Sequence, residues 1–172
     1  GCSPVQYAES LGLLELQPLL AHVNYAGDED IHLMAQRSCG VVYCPRTHRF
    51  FEHAPHRYRD MLGAGLNVCL GTDSLASSPS LSILDELRFL REMDDRSSNR
   101  LLLEMGTIRG ARALGLESQL GSLEPGKRAD FVVLPLTGST SDDPTDAVLR
   151  TQATPSHVYV SGRCLVASGE IA

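Results

Sequence analysis

The sequence predicts an α/β fold in which short parallel strands alternate with helices, followed by a β-rich segment. Apolar runs of three to five residues lie at Leu19–Ala21, Val41–Cys44 and Leu66–Leu70. The stretches between these runs carry helix signals, and strands that alternate with helices of about ten residues are typical of a parallel sheet. After Gly115 the pattern changes to tight turns and β runs.

Helices are predicted where a capping residue or an acidic first turn precedes apolar residues at helical spacing. Ser3 followed by Pro4 is a favourable helix opening, since proline fits the first helical position. The predicted helices cover Pro4 to Ser10 or Leu11, Asp28–Arg37, Tyr58–Ala64, Ser82–Asp94 and Arg100–Leu114.

The last third of the chain is predicted to be a β module. Its first strand is Ala129–Leu134, and a polar loop is expected from Gly138 to Pro144. Two further strands, His157–Val160 and Arg163–Val166, are separated only by Ser161 and Gly162, a spacing that indicates a hairpin with a tight turn.

Composition excludes several functional classes. The chain of 172 residues has a formal net charge of -6, which argues against a broad nucleic-acid surface. No apolar run approaches the roughly 18 residues of a membrane span, so membrane insertion is not expected. One local basic cluster is predicted to be a solvated or substrate-facing surface and comprises Arg46, His48, Arg49, His56, Arg57 and Arg59.

The five cysteines favour a reduced, cytoplasmic protein. Their number is odd and no two form a CxxC pair. Cys39, Cys44 and Cys69 lie in or beside apolar runs, where a free cysteine fits as a small hydrophobic residue.

Two predicted strands end in residues suited to metal chemistry. His22 ends the first strand, and Asp73 follows the third. The carboxyl ends of parallel strands line the active site in α/β sheets and barrels. An imidazole and a carboxylate there can hold a divalent ion and orient a water molecule. The residues alone leave simpler roles open: Asp73 also fits a helix cap or Asx-turn, and His22 a core histidine.

Four blocks of sequence resemble the amidohydrolase superfamily and occur in the family's order. The strongest combination is Gly-Thr-Asp-Ser at 71–74 with the later run GSLEPGKRADFVVL. The similarity extends from about Ser3 to Val166. The blocks are Leu19–His22 with Asp28–Ile31, similar to the sixth strand; Val41–Thr47, similar to the seventh strand and its loop; Leu70–Ser77, similar to the eighth; and Leu120–Leu134, similar to the return into a small β-sandwich.

This resemblance implies a fold and a division of the chain. Residues 1–116 would form the C-terminal portion of a (β/α)8 TIM-like barrel, strands six to eight, and residues 117–172 a segment of the β-sandwich. A complete barrel needs about 250 residues. The chain opens on Gly-Cys-Ser-Pro rather than Met, so we expect a fragment of a longer enzyme.

The resemblance also implies an activity. The nearest branch looks like the adenosyl-homocysteine, methylthioadenosine and aminodeoxyfutalosine deaminases, close to the triazine hydrolases. By position, Asp73 would bind a divalent metal, zinc or else iron, and act as general base, with His22 as catalytic partner and possible second ligand. An activated water would attack the amidine carbon of a purine-like or other N-heterocyclic small molecule, and ammonia would leave.

Two departures from the family pattern affect the expected substrate. Val23 stands where cysteine is frequent, and His48 where asparagine is frequent. His48 and His53 are the candidate substrate contacts. His53 and His56 could instead lie on the surface, and His32 and His157 are expected to be structural.

The family's upstream H-x-H, histidine and glutamate have no counterpart before Ser3. A divalent site needs three or more protein ligands, so the isolated chain is predicted to be inactive. Two alternatives stay open. One is a non-catalytic α/β module that forms homo-oligomers through exposed strand edges. The other is a hydrolase of a different small amide or halogenated ring.

Overall fold

Three parallel strands with helices around them precede a second, antiparallel sheet. A computed structural model describes residues 1–136, 143–168 and the backbone of 170–171. The elements in chain order are α1 (Pro4–Ser10), a 3-10 helix (Leu13–Leu16), β1 (Leu19–Ala21), α2 (Asp28–Gln36), β2 (Gly40–Tyr43), α3 (Pro45–Phe50), α4 (Tyr58–Gly63), β3 (Asn67–Leu70), α5 (Ile83–Met93), α6 (Asn99–Met105), α7 (Ile108–Ala113), β4 (Phe131–Val133), α8 (Pro144–Arg150), β5 (His157–Val160), β6 (Arg163–Ala167) and β7 (Glu170–Ile171).

The first sheet has the order β1-β2-β3, and both strand pairs are parallel. Leu19 is in register with Gly40, and Gly40 with Asn67. The α/β class and the three predicted strands are therefore confirmed. Because all three strands point the same way, the residues that follow them emerge at one edge of the sheet.

The core lies between this sheet and the helices that connect its strands. Val41 and Val68 are register partners in β2 and β3, and both are fully buried. Burying such a side chain stabilises the fold by about 1.5–3 kcal/mol. Other hydrophobic side chains with no more than 1% exposure among the described residues are Leu14, Met34, Cys39, Met61, Leu102 and Met105.

Two helices depart from the sequence prediction. The chain does not continue as a loop after Cys44, because Pro45 begins α3. The helix predicted over Arg100–Leu114 is divided into α6 and α7 at Gly106. A Cβ atom on Gly106 would lie 2.8 Å from a methyl group of Leu87 in α5. The break thus occurs where two helices approach closely, a tertiary contact that helix propensity does not report.

The second sheet is antiparallel in the order β4-β5-β6-β7, and this confirms the predicted β runs and the turn at Ser161 and Gly162. Helix α8 was not predicted, although Asp143 caps its first turn and Pro144 is its first residue. The predicted loop at Gly138–Pro144 lies largely outside the described residues. The division at residue 116 stays a prediction.

The five cysteines are free thiols, as predicted, and Cys39, Cys44 and Cys69 are buried. Burial raises the pKa of Cys39 and of Cys69. Among the described helices, none is both long and apolar enough to cross a membrane.

Candidate active site at the carboxyl edge of the parallel sheet

His22 and Asp73 emerge at the same edge of the sheet, on the two sides of β2. His22 directly follows β1, and its amide donates a hydrogen bond to the Val42 carbonyl at 2.8 Å. On the other side, the Gly71 amide donates to the Tyr43 carbonyl at 2.9 Å, two residues before Asp73. Sheet pairing therefore continues just beyond each strand and sets the direction in which each chain segment leaves the sheet.

Both segments turn sharply at the predicted site residues. The φ angles are 65° at His22, 51° at Val23 and 56° at Asp73. Residues other than glycine rarely adopt positive φ angles, and for a β-branched residue such as Val23 this conformation is particularly unfavourable. Strained backbone of this kind clusters at functional sites.

The Asp73 carboxylate is exposed to solvent and held on one side. Its Oδ2 accepts a hydrogen bond of 3.3 Å from the Ser77 hydroxyl. Ser77 is buried and lies 3.0 Å from the hydroxyl of Thr47 in α3. Burial, and after it the Asp73 charge, raises the pKa of the Cys44 thiol to about 11. The carboxylate thus lies beside the end of β2 with room for a ligand.

Gly71 brings the Asp73 segment close to β2. A Cβ atom at this position would lie 2.5 Å from Cγ1 of Val42 and 3.1 Å from the Cys44 sulfur. Any larger residue at position 71 would have to displace the Val42 side chain. Gly71 therefore allows the segment that carries Asp73 to run close to β2.

A buried ion pair lies beneath the same loops. Glu86 of α5 is fully buried and accepts hydrogen bonds from the Arg46 Nε at 2.7 Å and the Arg46 amide at 3.0 Å. The Arg46 guanidinium also donates to the Ser80 carbonyl at 2.9 Å. The pair joins the segment after β2 to the segment after β3, which carries Asp73.

The structure divides the basic cluster that the sequence predicts to be a solvated or substrate-facing surface. Arg46 is directed into the protein, towards Glu86. Arg57 pairs with Asp60 at 2.7 Å, and Arg59 with Asp94 at 3.0 Å. Arg49 and Arg59 are exposed and agree with the predicted solvated surface, whereas Arg46, with a side-chain exposure of 11%, does not.

Three histidines instead form a group near His22. The rings of His48 and His53 are 5.4 Å apart between centroids, and those of His48 and His56 are 5.5 Å apart. His48 donates from Nδ1 to the Asn24 side chain at 3.1 Å, and His53 lies 2.7 Å from the Tyr25 hydroxyl. The predicted substrate residues His48 and His53 are therefore held next to the segment that follows His22.

His56 is the most enclosed of the three. Burial lowers its pKa to about 4 and also lowers the pKa of His48. The His56 Nε2 donates to the His22 carbonyl at 2.5 Å, and its ring stacks on Tyr43 at 4.1 Å. His56 is thus partly buried and held by the segment that follows β1.

Local patterns located the strand ends but not the contacts around them. His22 and Asp73 are predicted because each follows an apolar run within a block that resembles the amidohydrolase superfamily. The contacts Arg46–Glu86, Thr47–Ser77 and His56–His22 join residues 30 to 40 positions apart and leave no local signal. The two other histidines lie in the predicted elements. His32 is exposed on α2 and hydrogen-bonds Gln36 of the same helix, and His157 is in β5.

The sequence matches the model of the amidohydrolase family over residues 1–165. The chain belongs to the amidohydrolase family.

Curated relatives place it more closely. The chain is 34% identical to the 5-methylthioadenosine/S-adenosylhomocysteine deaminase of Moorella thermoacetica, over 99% of this chain and 43% of that protein. It is 32% identical to the enzyme of the same name from Saccharophagus degradans, over 99% of this chain and 41% of that protein. The chain thus spans about two fifths of the length of these relatives.

Solved structures agree with these relatives. A zinc-bound adenosine deaminase from Xanthomonas campestris is 25% identical, with a TM-score of 0.90 over 98% of this chain and 41% of that one. The zinc complex of atrazine chlorohydrolase from Arthrobacter aurescens is 27% identical, with a TM-score of 0.90 over 100% of this chain and 41% of that one. The predicted resemblance to deaminases and triazine hydrolases is confirmed.

Proposed function

We propose that this chain forms part of a longer metal-dependent hydrolase that deaminates a purine-like or other N-heterocyclic small molecule. The observation that carries the proposal is the position of His22 and Asp73: each follows a parallel strand, at one edge of the sheet, with positive φ. The deaminase names of the relatives support the reaction class.

The donor set fits part of a zinc site. Imidazole and carboxylate are common zinc ligands, and the Asp73 carboxylate is open to solvent. Within the described ranges, however, no group of three or more histidine, cysteine, aspartate or glutamate side chains could hold a metal. His22 and Asp73 would therefore be two donors of a site whose other ligands lie outside this chain. Zinc is preferred over iron because both solved relatives described above hold zinc.

The chain's own residues would move protons and orient the reactants. A bound metal would supply Lewis acidity that lowers the pKa of a water molecule. Asp73 would accept the proton of the attacking water, while Ser77 holds one of its oxygens in place. His22 would hydrogen-bond the water or the departing ammonia. The substrate ring would lie towards His48 and His53, whose positions are fixed by Asn24 and Tyr25.

We further propose that β1, β2 and β3 are the sixth, seventh and eighth strands of a TIM-like barrel, and that residues 117–172 belong to a small β-sandwich. In the described part of the chain, β1 pairs with β2 alone. Its Leu19 is 39% exposed. Further strands beside β1 and beside β3, which in the described residues also pairs with β2 alone, would carry the ligands that the site still needs.

Replacement of Asp73 in the longer enzyme tests this function. Asp73→Asn keeps the size of the side chain and its contact with Ser77 but removes the base and the anionic ligand. We expect turnover of adenosine-type substrates, measured as ammonia release, to fall by about 10²–10⁴-fold. Zinc content, measured on the same samples, should also fall.

Asp95→Asn is the matched control, since Asp95 is exposed and lies outside the site. It should leave both readouts unchanged. Full turnover by Asp73→Asn would remove Asp73 from the site. Chloride release from a chlorotriazine without ammonia release from adenosines would favour the alternative substrate class, a halogenated ring.

The open β1 edge also supports the second candidate, a non-catalytic module that self-associates. An unpaired strand edge is a template for pairing with another copy. Sedimentation of this chain and of the longer protein distinguishes the two. Dimers of the short chain that disappear in the longer protein indicate that the edge is covered by its own upstream strand. Dimers of both would favour the self-associating module.

A further inference from the structure

We propose that His56 is a positioning residue that fixes the backbone of His22. His22 and Val23, with φ angles of 65° and 51°, form what we call the His22 kink. The significance for catalysis rests on the function proposed above, but the structural claim stands without it. The fixed element is the peptide that joins the two residues of the kink.

The kink is held by a small number of contacts. Two of them are backbone bonds, from the His22 amide to the Val42 carbonyl at 2.8 Å and from the Val23 amide to the Ala21 carbonyl at 2.9 Å. The third comes from the His56 Nε2, which donates to the His22 carbonyl at 2.5 Å. Two consecutive residues with positive φ, one of them β-branched, are unfavourable unless neighbouring structure holds them.

The His56 ring is itself fixed from behind. It stacks on Tyr43 with centroids 4.1 Å apart and the planes 19° apart. Tyr43 in turn stacks on Tyr58 at 5.2 Å, and the Tyr58 hydroxyl donates to Asp94. Tyr43, Tyr58 and Asp94 are all buried. This stack runs from the core to the kink, so the position of the His56 donor is set by packed side chains.

The neutral His56 ring has one donor nitrogen. A carbonyl oxygen only accepts, so the proton of the neutral ring is on Nε2 and is used by His22. The Nδ1 atom is buried and has no hydrogen-bond partner within the described residues. His56 therefore differs from His48 and His53, whose hydrogen bonds are with the side chains of Asn24 and Tyr25. We infer that it acts through His22 and not on the substrate.

Two substitutions separate the hydrogen bond from the packing. His56→Phe keeps a flat ring against Tyr43 and removes the donor, whereas His56→Gln keeps an N–H donor near the position of Nε2. Hydrogen exchange of the His22 and Val23 amides in this chain is the measurement. His32→Phe, on the exposed face of α2, is the control for loss of a histidine elsewhere.

We expect the two kink amides to exchange at least about tenfold faster in His56→Phe, as local opening becomes easier. In His56→Gln and His32→Phe their rates should stay within about threefold of the wild-type rates. The amides of β3 should not change in any variant. Wild-type rates in His56→Phe, or equally fast exchange in His56→Gln, would overturn the proposal.

A measurement on the unmodified chain covers the case in which His56→Phe does not fold. Nitrogen NMR of the His56 ring should show a protonated Nε2 and an unprotonated Nδ1. The opposite tautomer would leave the His22 carbonyl without this donor and refute the proposal.

The longer enzyme connects the kink to turnover. We expect His56→Phe to lower kcat with little change in KM, and His56→Gln to restore kcat, because a residue acting on His22 alters the reacting geometry and not the binding of substrate. Unchanged kcat for His22→Asn would reject the catalytic role proposed for His22. The exchange results would still decide whether His56 holds the kink.

Discussion

The two sheets of this chain differ in how deeply their apolar side chains are buried. In the parallel sheet Val41 and Val68 are fully buried, whereas in the antiparallel sheet Val132 and Val133 are 52% and 41% exposed. Parallel sheets are normally covered on both faces, and antiparallel sheets can have one face in water. Val132 and Val133 are consecutive residues whose side chains point to opposite faces of β4, so both faces of this strand reach solvent at these positions.

Charged residues show the same contrast. The Arg46–Glu86 pair is buried beneath the candidate site, with side-chain exposures of 11% and 0%. In the second region Arg128 lies 3.5 Å from Asp130, with exposures of 45% and 28%. The parallel region therefore has a packed interior with a polar site at its edge. The antiparallel region lacks a comparable interior in the described residues.

Removing one member of the buried pair should have the largest effect on stability. Glu86→Gln removes the nearer counter-ion of the Arg46 guanidinium and leaves Asp85 at 3.8 Å, which costs up to about 3–5 kcal/mol in the free energy of unfolding. Urea unfolding of the chain measures this. The matched control is Glu104→Gln, whose partner Arg100 is 85% exposed, and we expect a loss of less than about 1 kcal/mol. Similar losses for both variants would contradict the contrast between buried and exposed pairs.

A core truncation should have the next largest effect. Leu102 in α6 is fully buried, and Leu102→Ala removes apolar contacts and leaves a cavity, at a cost of about 2–5 kcal/mol. Leu165 in β6 is 38% exposed, so Leu165→Ala should cost less than about 1.5 kcal/mol. Thermal and urea unfolding of the two variants test this. Equal losses would show that β6 is packed as tightly as α6.

The same distinction explains what could be predicted from the sequence. The strands β1, β2 and β3 are predictable because each is a local apolar run. His22 and Asp73 follow such runs, but the resemblance to the amidohydrolase superfamily was needed to select them as site residues. The start of α3 had a local signal in Pro45, which fits a first helical position, but the proline was interpreted as a strand stop. The features that give the site its shape depend on residues distant in sequence.

Three of these features illustrate the limit. The break at Gly106 depends on Leu87, the burial of Arg46 on Glu86, and the kink at His22 on His56. In each case the local sequence favours another interpretation: a continuous helix, a solvated arginine or a surface histidine. The contact made in the folded chain determines the conformation, because a close approach or a buried charge outweighs local propensity.

The smallest expected effect on stability is also the one that best tests the antiparallel region. Val132→Thr preserves β-branching and strand propensity, and at 52% exposure it should change the free energy of unfolding by less than about 0.5 kcal/mol. Val68→Thr makes the same chemical change at a fully buried position in β3 and should cost about 1–3 kcal/mol, since the hydroxyl loses its water.

Self-association of the two variants distinguishes an exposed surface from a packed one. If exposed apolar side chains of β4 cause association, sedimentation velocity at rising concentration should show fewer oligomers for Val132→Thr than for the unmodified chain. Val68→Thr, while folded, should associate as the unmodified chain does. A loss of stability in Val132→Thr as large as that in Val68→Thr would mean that β4 is already packed within this chain. The two sheets would then differ in topology but not in how far each is buried.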